Sequence, residues 1–245
     1  MQNIKKATEL KEQLDRQRPL DTVTVQRLKE DFFVRNTYHS NAIEGNTLTI
    51  YETKAILEDG ITVGNGKTLR EHMEAINHRD AIQYVESVIT RPLTEHLIRN
   101  IHSLILRGID TDHAGAYRRQ DVIIAGASHS VTPHFKIADD MEELVRWYTS
   151  AVENNNDHPI EIAAILHSKF VNIHPFLDGN GRTGRLLMNF ELMRAGYLPV
   201  IIQVDDRQKY YEALDHAGVN NDYTMLIDMV ASVEVGALKK YLELL

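Results

Sequence analysis

The sequence predicts an all-α protein, a helical bundle interrupted by one short β-hairpin. Three observations carry that expectation. Apolar residues recur at helical spacing over most of the chain. Threonine and proline start signals and glycine stops bracket those stretches. One stretch alone, DVIIAGASHSVTPH at residues 121–134, has the β-branched run, the small-residue break and the second short run of a hairpin.

Taken in order, Val25, Leu28, Phe32 and Phe33 lie close to helical spacing between Thr24 and His39. Thr49 and Glu52 form a capping box, in which hydroxyl and carboxylate each satisfy a backbone N–H, and open a helix through Leu57 that Gly60 ends. The box recurs at Thr68 and Glu71, ahead of Ile76, Ile82, Val85 and Ile89. Pro92 and Thr94 begin the next helix, with Leu97, Ile98, Ile101, Leu104 and Ile105 on its buried stripe and Gly108 as its stop. Helical patterns return over 140–151 and 159–172, where Ile162, Ile165, Leu166 and Phe170 face one way. RLLMNFELMRAG is an amphipathic helix stopped by Gly196, and helices near 207–217 and 223–242 complete the chain. No repeat or Pro/Gly/Ser-rich linker marks a boundary. The expected organisation is an N-terminal helical region over 1–95, a core over 96–200 and C-terminal helices over 201–245 packed on that core.

The 245 residues are 43% hydrophobic, enough for a real core, and carry a net charge of -8. That balance argues against wrapping DNA or coating an anionic membrane, because phosphate binding needs clustered positive charge. The absence of cysteine removes disulfides, thiolate catalysis and cysteine-held metal sites together. The opening MQNIKKATELKEQLDRQRP lacks the apolar core and cleavage site of a secretory signal, and no apolar run approaches a bilayer span. The expectation is a soluble cytoplasmic protein with no nucleic-acid or membrane partner.

The chemistry concentrates in HPFLDGNGRTGR, residues 174–185. A Gly-Asn-Gly turn directly before a helix presents backbone N–H groups that no intrahelical carbonyl can use, an anion cradle strengthened by the helix dipole. Glycines at 179 and 181 suit positive φ and close approach of a phosphate, and Asn180 adds an amide. Arg182 and Arg185, three apart, can hold successive phosphates with their guanidinium forks. Asp178 is the one carboxylate within the cradle, and Mg2+ is commonly held by one or two carboxylates plus phosphate oxygens. His174 then stands where a general base belongs, so the constellation describes nucleotidyl or phosphoryl transfer. It is not a Walker A loop, since G-x-x-x-x-G-K-[ST] is missing.

With these residues in place, the stretch resembles the signature of the Fic domain family, H-x-F-x-[DE]-G-N-G-R-x-x-R, matched at His174, Phe176, Asp178, Gly179, Asn180, Gly181, Arg182 and Arg185. GAYRRQDVIIAGASHSVTPHF looks like that family's approach to its active site and flap hairpin, and HPIEIAAILHSKFVNIHPF like the helix that delivers the catalytic loop. The resemblance implies the Fic fold with a β-hairpin flap and transfer of AMP from ATP to a protein hydroxyl, with release of pyrophosphate. It also implies His174 as general base, Asp178 as Mg2+ ligand, Gly179, Asn180 and Gly181 as the phosphate hole, and Arg182 and Arg185 as triphosphate clamps, with Phe176 anchoring the loop. The flap near 121–134 would position the target by strand addition. Tyr210 and Tyr211 resemble aromatic residues near the nucleotide in some relatives, although a tyrosine pair on a helix is equally simple packing. A homo-oligomer is compatible with all of this.

SNAIEGN, residues 40–46, matches the inhibitory pattern [ST]-x-x-x-E-[GN] of some Fic proteins. Ser40 and Glu44 stack on one helical face, and Gly45 releases the chain. The resemblance implies that Glu44 pairs with Arg185 in the place of the γ-phosphate, so that the chain restrains itself. Two alternatives stay open: removal of AMP from a modified target, and a nucleotide- or partner-binding module without turnover. His167, on an apolar helix, reads as a packed side chain, whereas His129 and His134 lie in or beside the flap.

Overall fold

A computed structural model describes residues 2–64, 66–124, 126 and 128–244. Among these the chain forms ten α-helices: α1 (Gln2–Arg16), α2 (Thr22–Ile43), α3 (Ile50–Glu58), α4 (Leu69–Val88), α5 (Glu95–Ile105), α6 (Ile137–Asn154), α7 (Pro159–Ile173), α8 (Asn180–Arg194), α9 (Arg207–Asn220) and α10 (Thr224–Leu244). The start signals work as read. Thr49 accepts from the Glu52 N–H at 3.2 Å while Glu52 accepts from the Thr49 N–H at 2.7 Å. The pair Thr68 and Glu71 makes the same reciprocal box for α4, and Thr94 caps α5.

Two helices form the centre. Along α7, Leu166 and Phe170 enter one apolar cluster with Val85 of α4, Ile98 and Ile101 of α5 and Leu144 of α6, while Ile160, Ala163 and Ala164 enter a second with α1, α9 and α10. In α8, Leu187 and Phe190 face the first cluster, and Met188 and Leu192 the second. Both helices are therefore buried around most of their circumference, α7 largely through apolar residues and α8 with Arg182, Arg185, Asn189 and Glu191 among its buried side chains. They pack closely because Gly184 lets them: a Cβ there would lie 2.7 Å from His167 Nδ1 and 2.9 Å from Val171 Cγ1.

The charged N-terminal stretch, given no element by its pattern, is α1. Its stripe of Ala7, Leu10 and Leu14 is buried against α10 beneath the charges that mask it. No helix among the described residues is long and apolar enough to cross a membrane.

The expected hairpin is overturned. Among the described residues of 121–134 there is no strand; Ala125 and Ala127, at the expected turn, lie outside the described residues. Side chains, not a backbone ladder, hold this segment. The buried Arg118 guanidinium donates to the carbonyls of Gln120 and Thr132, Asp121 accepts from the His134 N–H at 2.8 Å, and Asp215 of α9 accepts from the Ser128 N–H at 2.6 Å. Among the described residues, this β-branched composition has no partner strand to pair with.

Candidate active site

The site is built where α7 stops. His174 ends that helix in the left-handed region (φ 53°, ψ 57°), and Gly179 opens α8 from the same region (φ 77°). Between them the loop is fastened from beneath. Phe176 is fully buried and stacks on His102 of α5, ring centroids 3.6 Å apart. The Asn180 amide accepts from the Phe176 N–H at 3.0 Å and donates to its carbonyl at 2.8 Å. His102 Nδ1 accepts from the Gly115 N–H, which leaves Nε2 as the donor to the Asp178 carbonyl at 2.9 Å. Burial pushes this imidazole down to about 4, so it stays neutral in that role.

Arg118 ties the loop to the flap segment. Its backbone N–H donates to Pro175 O at 2.9 Å and its guanidinium to His174 O at 2.8 Å, besides the bonds to Gln120 and Thr132. Neither His102 nor Arg118 was singled out from the sequence. Arg118 stands in the quoted GAYRRQD, but nothing in that pattern separates a buried arginine from an exposed one.

His174 has one face fixed. Its Nδ1 lies 3.3 Å from the Val171 carbonyl, which can only accept, so Nδ1 carries the proton and Nε2 the lone pair. Burial, opposed by that carbonyl, holds its pKa below the ordinary 6.5, in the neutral form a base requires.

The charged residues of the motif are each met by an opposite charge from α2 or α4. Arg185 is buried; it donates to Ser40 Oγ at 3.0 Å, to Ser40 O at 2.8 Å and to Glu44 Oε1 at 2.8 Å. Glu44 is the residue that ends α2, and its carboxylate sits on Gly181, where a Cβ would lie 2.2 Å from Oε1. Arg182, also buried, pairs with Glu74 of α4 at 3.4 Å and with Asp178 at 3.1 Å. Asp178 in turn accepts from Arg70 at 2.6 Å. Burial pushes the Asp178 carboxyl up, but Arg182, the Gly179 N–H and Arg70 outweigh it and hold the group below the usual range. Arg70 and Glu74 were not anticipated either.

A pocket of ≈ 310 Å³ brings together Glu44, His174, Gly181, Arg185, Tyr210 and Tyr211 with Ile124, Gly126 and His129 of the flap segment and Asp215 of α9. Asp178 and Arg182 do not line it. Gly179 and Asn180 are buried in the loop itself. Ser40 is buried against Arg185, and Gly45 (φ 97°) turns the chain out of α2. Tyr210 is 1% exposed: its hydroxyl lies 2.7 Å from His167 Nε2 and 3.4 Å from Arg185, so it forms the floor beneath that arginine. Tyr211 is exposed at the pocket wall beneath the Arg207 guanidinium, 5.3 Å from its ring. His129 bonds to Asp215 at 3.1 Å and His134 to Asp121 at 3.0 Å; of the two, only His129 reaches the pocket.

This architecture is similar to that of known proteins. The structure matches the crystal structure of a Fic domain containing signaling protein from Bacteroides thetaiotaomicron with a TM-score of 0.87 at 32% identity, covering 97% of this chain and 94% of that one. The chain belongs to the Fic family. The model of the Fic/DOC family matches residues 92–192, and Fic-1 from C. elegans matches with a TM-score of 0.88 at 31% identity, over 98% of this chain and 71% of that one. Among curated Fic relatives, the protein adenylyltransferase Fic of Nematostella vectensis is 38% identical over 230 residues, 91% of this chain and 52% of that protein. Its counterpart in Drosophila grimshawi is 37% identical over 220 residues, 89% and 44% respectively. The chain spans about half the length of the curated Fic proteins it matches.

Proposed function

We propose that the chain is a protein adenylyltransferase restrained by its own Glu44. It transfers AMP from ATP to a side-chain hydroxyl of a protein and releases pyrophosphate. The observation that supports this reading is the carboxylate already seated on Gly181 and bonded to Arg185: the start of α8 holds an anion in the space the phosphates need. The names of the curated relatives, protein adenylyltransferase Fic, point the same way.

In the reaction, the acceptor oxygen bonds to the α-phosphorus as the bond to the bridging oxygen breaks, and His174 Nε2 takes the hydroxyl proton. His174 is suited to this because its Nδ1–H is committed to Val171. Arg185, freed from Glu44, and Arg182 bind the phosphates; Gly181 keeps the helix start open to them. Asp178 fits a magnesium ion: it is half-exposed, held charged and adjacent to the cradle, and one carboxylate with phosphate oxygens suffices for this ion. When bound, Mg2+ would neutralise charge developing on the leaving phosphates. The target hydroxyl enters beside residues 121–134, where Ile123 is 96% exposed.

Hydrolysis of AMP from a modified hydroxyl is the second reading, favoured by one observation: Glu44 lines the same pocket as His174, where it can orient a water. Both readings are tested with ATP labelled at the α-phosphate. Label should stay on protein with Glu44→Gly, at least ~10-fold above the unsubstituted chain, as loss of a charge-assisted bond to a buried arginine requires, and vanish when His174→Ala is added. No rise with Glu44→Gly while ATP still binds would refute the restraint. Free AMP released from a pre-labelled target by the unsubstituted chain would identify the hydrolase.

A further inference from the structure

Asp178 accepts from three donors, and they differ in one respect. Oδ1 accepts from the Gly179 N–H at 2.6 Å and from Arg182 at 3.1 Å, and Arg182 is fixed, its side chain 3% exposed. Oδ2 accepts from Arg70 at 2.6 Å, and the Arg70 side chain is 56% exposed. The same Arg70 guanidinium donates from Nε to Glu74 Oε1 at 3.1 Å, so it bridges two carboxylates, Asp178 and Glu74, which also share Arg182. Two guanidinium and two carboxylate groups close a ring of balanced charge at the edge of the nucleotide cradle.

We propose that Arg70 is an internal cation that covers Oδ2 of Asp178 and competes with a divalent ion for that carboxylate. This rests on the reading of Asp178 as the metal-holding carboxylate. A guanidinium and a divalent ion compete for Oδ2, because their positive charges repel at that distance and one carboxylate, already facing Arg182, does not neutralise both. Arg182 is the less free of the two: it is enclosed, and Glu74 and Asp178 are its counter-charges. Arg70 can yield, since its head swings into water at little cost. It acts as a positioning residue that sets how strongly metal and nucleotide binding are coupled. Glu44 opposes the phosphates and Arg70 opposes the ion, so the two restraints are separable by substitution. They are also physically joined, because Asn46, two residues beyond Glu44, donates to Glu74 Oε2 at 2.9 Å.

The test compares Glu44→Gly with Glu44→Gly carrying Arg70→Ala, and separately Arg70→Gln, which keeps an amide near Glu74 and guards against a local packing defect. ATP affinity is measured calorimetrically in EDTA and in Mn2+, with bound Mn2+ counted by electron paramagnetic resonance. The expected result is that the ratio of the two affinities rises about two- to fivefold in both Arg70 variants, the range of a partly exposed ion pair, with the EDTA value unchanged. An unaltered or smaller ratio overturns the proposal. So does a loss of affinity in EDTA, which would make Arg70 a phosphate ligand. Failure of every variant to bind ATP overturns the reading of the nucleotide site itself, and this inference with it.

Discussion

His174 shows how one residue's backbone and surroundings fix its chemistry. A histidine in the left-handed region is uncommon, and here the conformation turns the imidazole back so that Nδ1 meets the last turn of α7. Because burial depresses its pKa, the neutral form persists below pH 6.5. Activity of the Glu44→Gly variant should therefore be flat with pH near neutrality, and its acid limb should fall below 6.5; a profile of kcat/KM against pH checks this, and a limb centred above 6.5 contradicts it. At this scale the motif residues were legible because the chemistry is contiguous: His174, Asp178, Arg182 and Arg185 fall within one loop and one helical turn. Glu44 was legible only through its resemblance to a family pattern. Arg70, Glu74, His102 and Arg118 were not, since each is brought to the site by tertiary packing and each is a residue type that ordinarily lies at a surface or in a core without function. The Asn180 side chain, read as part of the phosphate hole, is spent on the Phe176 backbone, and Tyr210 on His167 and Arg185.

Among the elements, the α7–α8 pair carries the site, and Gly184 sets its spacing. Its ring and branched-chain neighbours, His167 and Val171, are both held in a dense interface and cannot swing aside. Gly184→Ala should lower the unfolding free energy by about 1–3 kcal/mol, the usual cost of overpacking, with urea denaturation as the measurement; an unchanged midpoint would mean that the helices separate freely. Helices were the legible elements, because periodicity, Thr-x-x-Glu boxes and glycine stops all agree with the packing that follows. The flap segment was not. Val122, Ile123, Ile124 and Val131 have the composition of strands, but composition describes a residue's fit to a pleated surface and says nothing of whether a partner strand is present. Arg118, Asp121 and Asp215 supply the hydrogen bonds that a ladder would have made. The first helix is hard to read from sequence for the opposite reason, its apolar stripe being thin among charges and completed only by α10.

Across the whole molecule, the second apolar cluster carries a group that works against stability. Glu234 of α10 is fully buried; one oxygen accepts from the Leu198 N–H at 3.0 Å and the other has no protein partner. Burial pushes this carboxyl up to about 8 from an ordinary 4.5, so the folded state keeps a proton that the unfolded chain releases. Stability contributed in this way is complete below 4.5 and is lost as pH rises through 8. Glu234→Gln should accordingly raise the unfolding free energy at pH 8 by on the order of a few kcal/mol, read by urea denaturation, and change it little at pH 4.5. A shift of equal size at both values would deny the buried proton. The cradle and its restraint respond to a different part of the structure. Glu44 is not in the body of α2 but caps its end, directly after Ile43 and before Gly45, whose positive φ turns the chain. Ser40, one turn earlier, is bonded to Arg185, and Thr37, two turns earlier, to His78. Beyond Glu44 the chain is held in turn by α4, Asn46 on Glu74 and Thr47 on Glu71, so any shift of that carboxylate off Arg185 is felt along α4 as well.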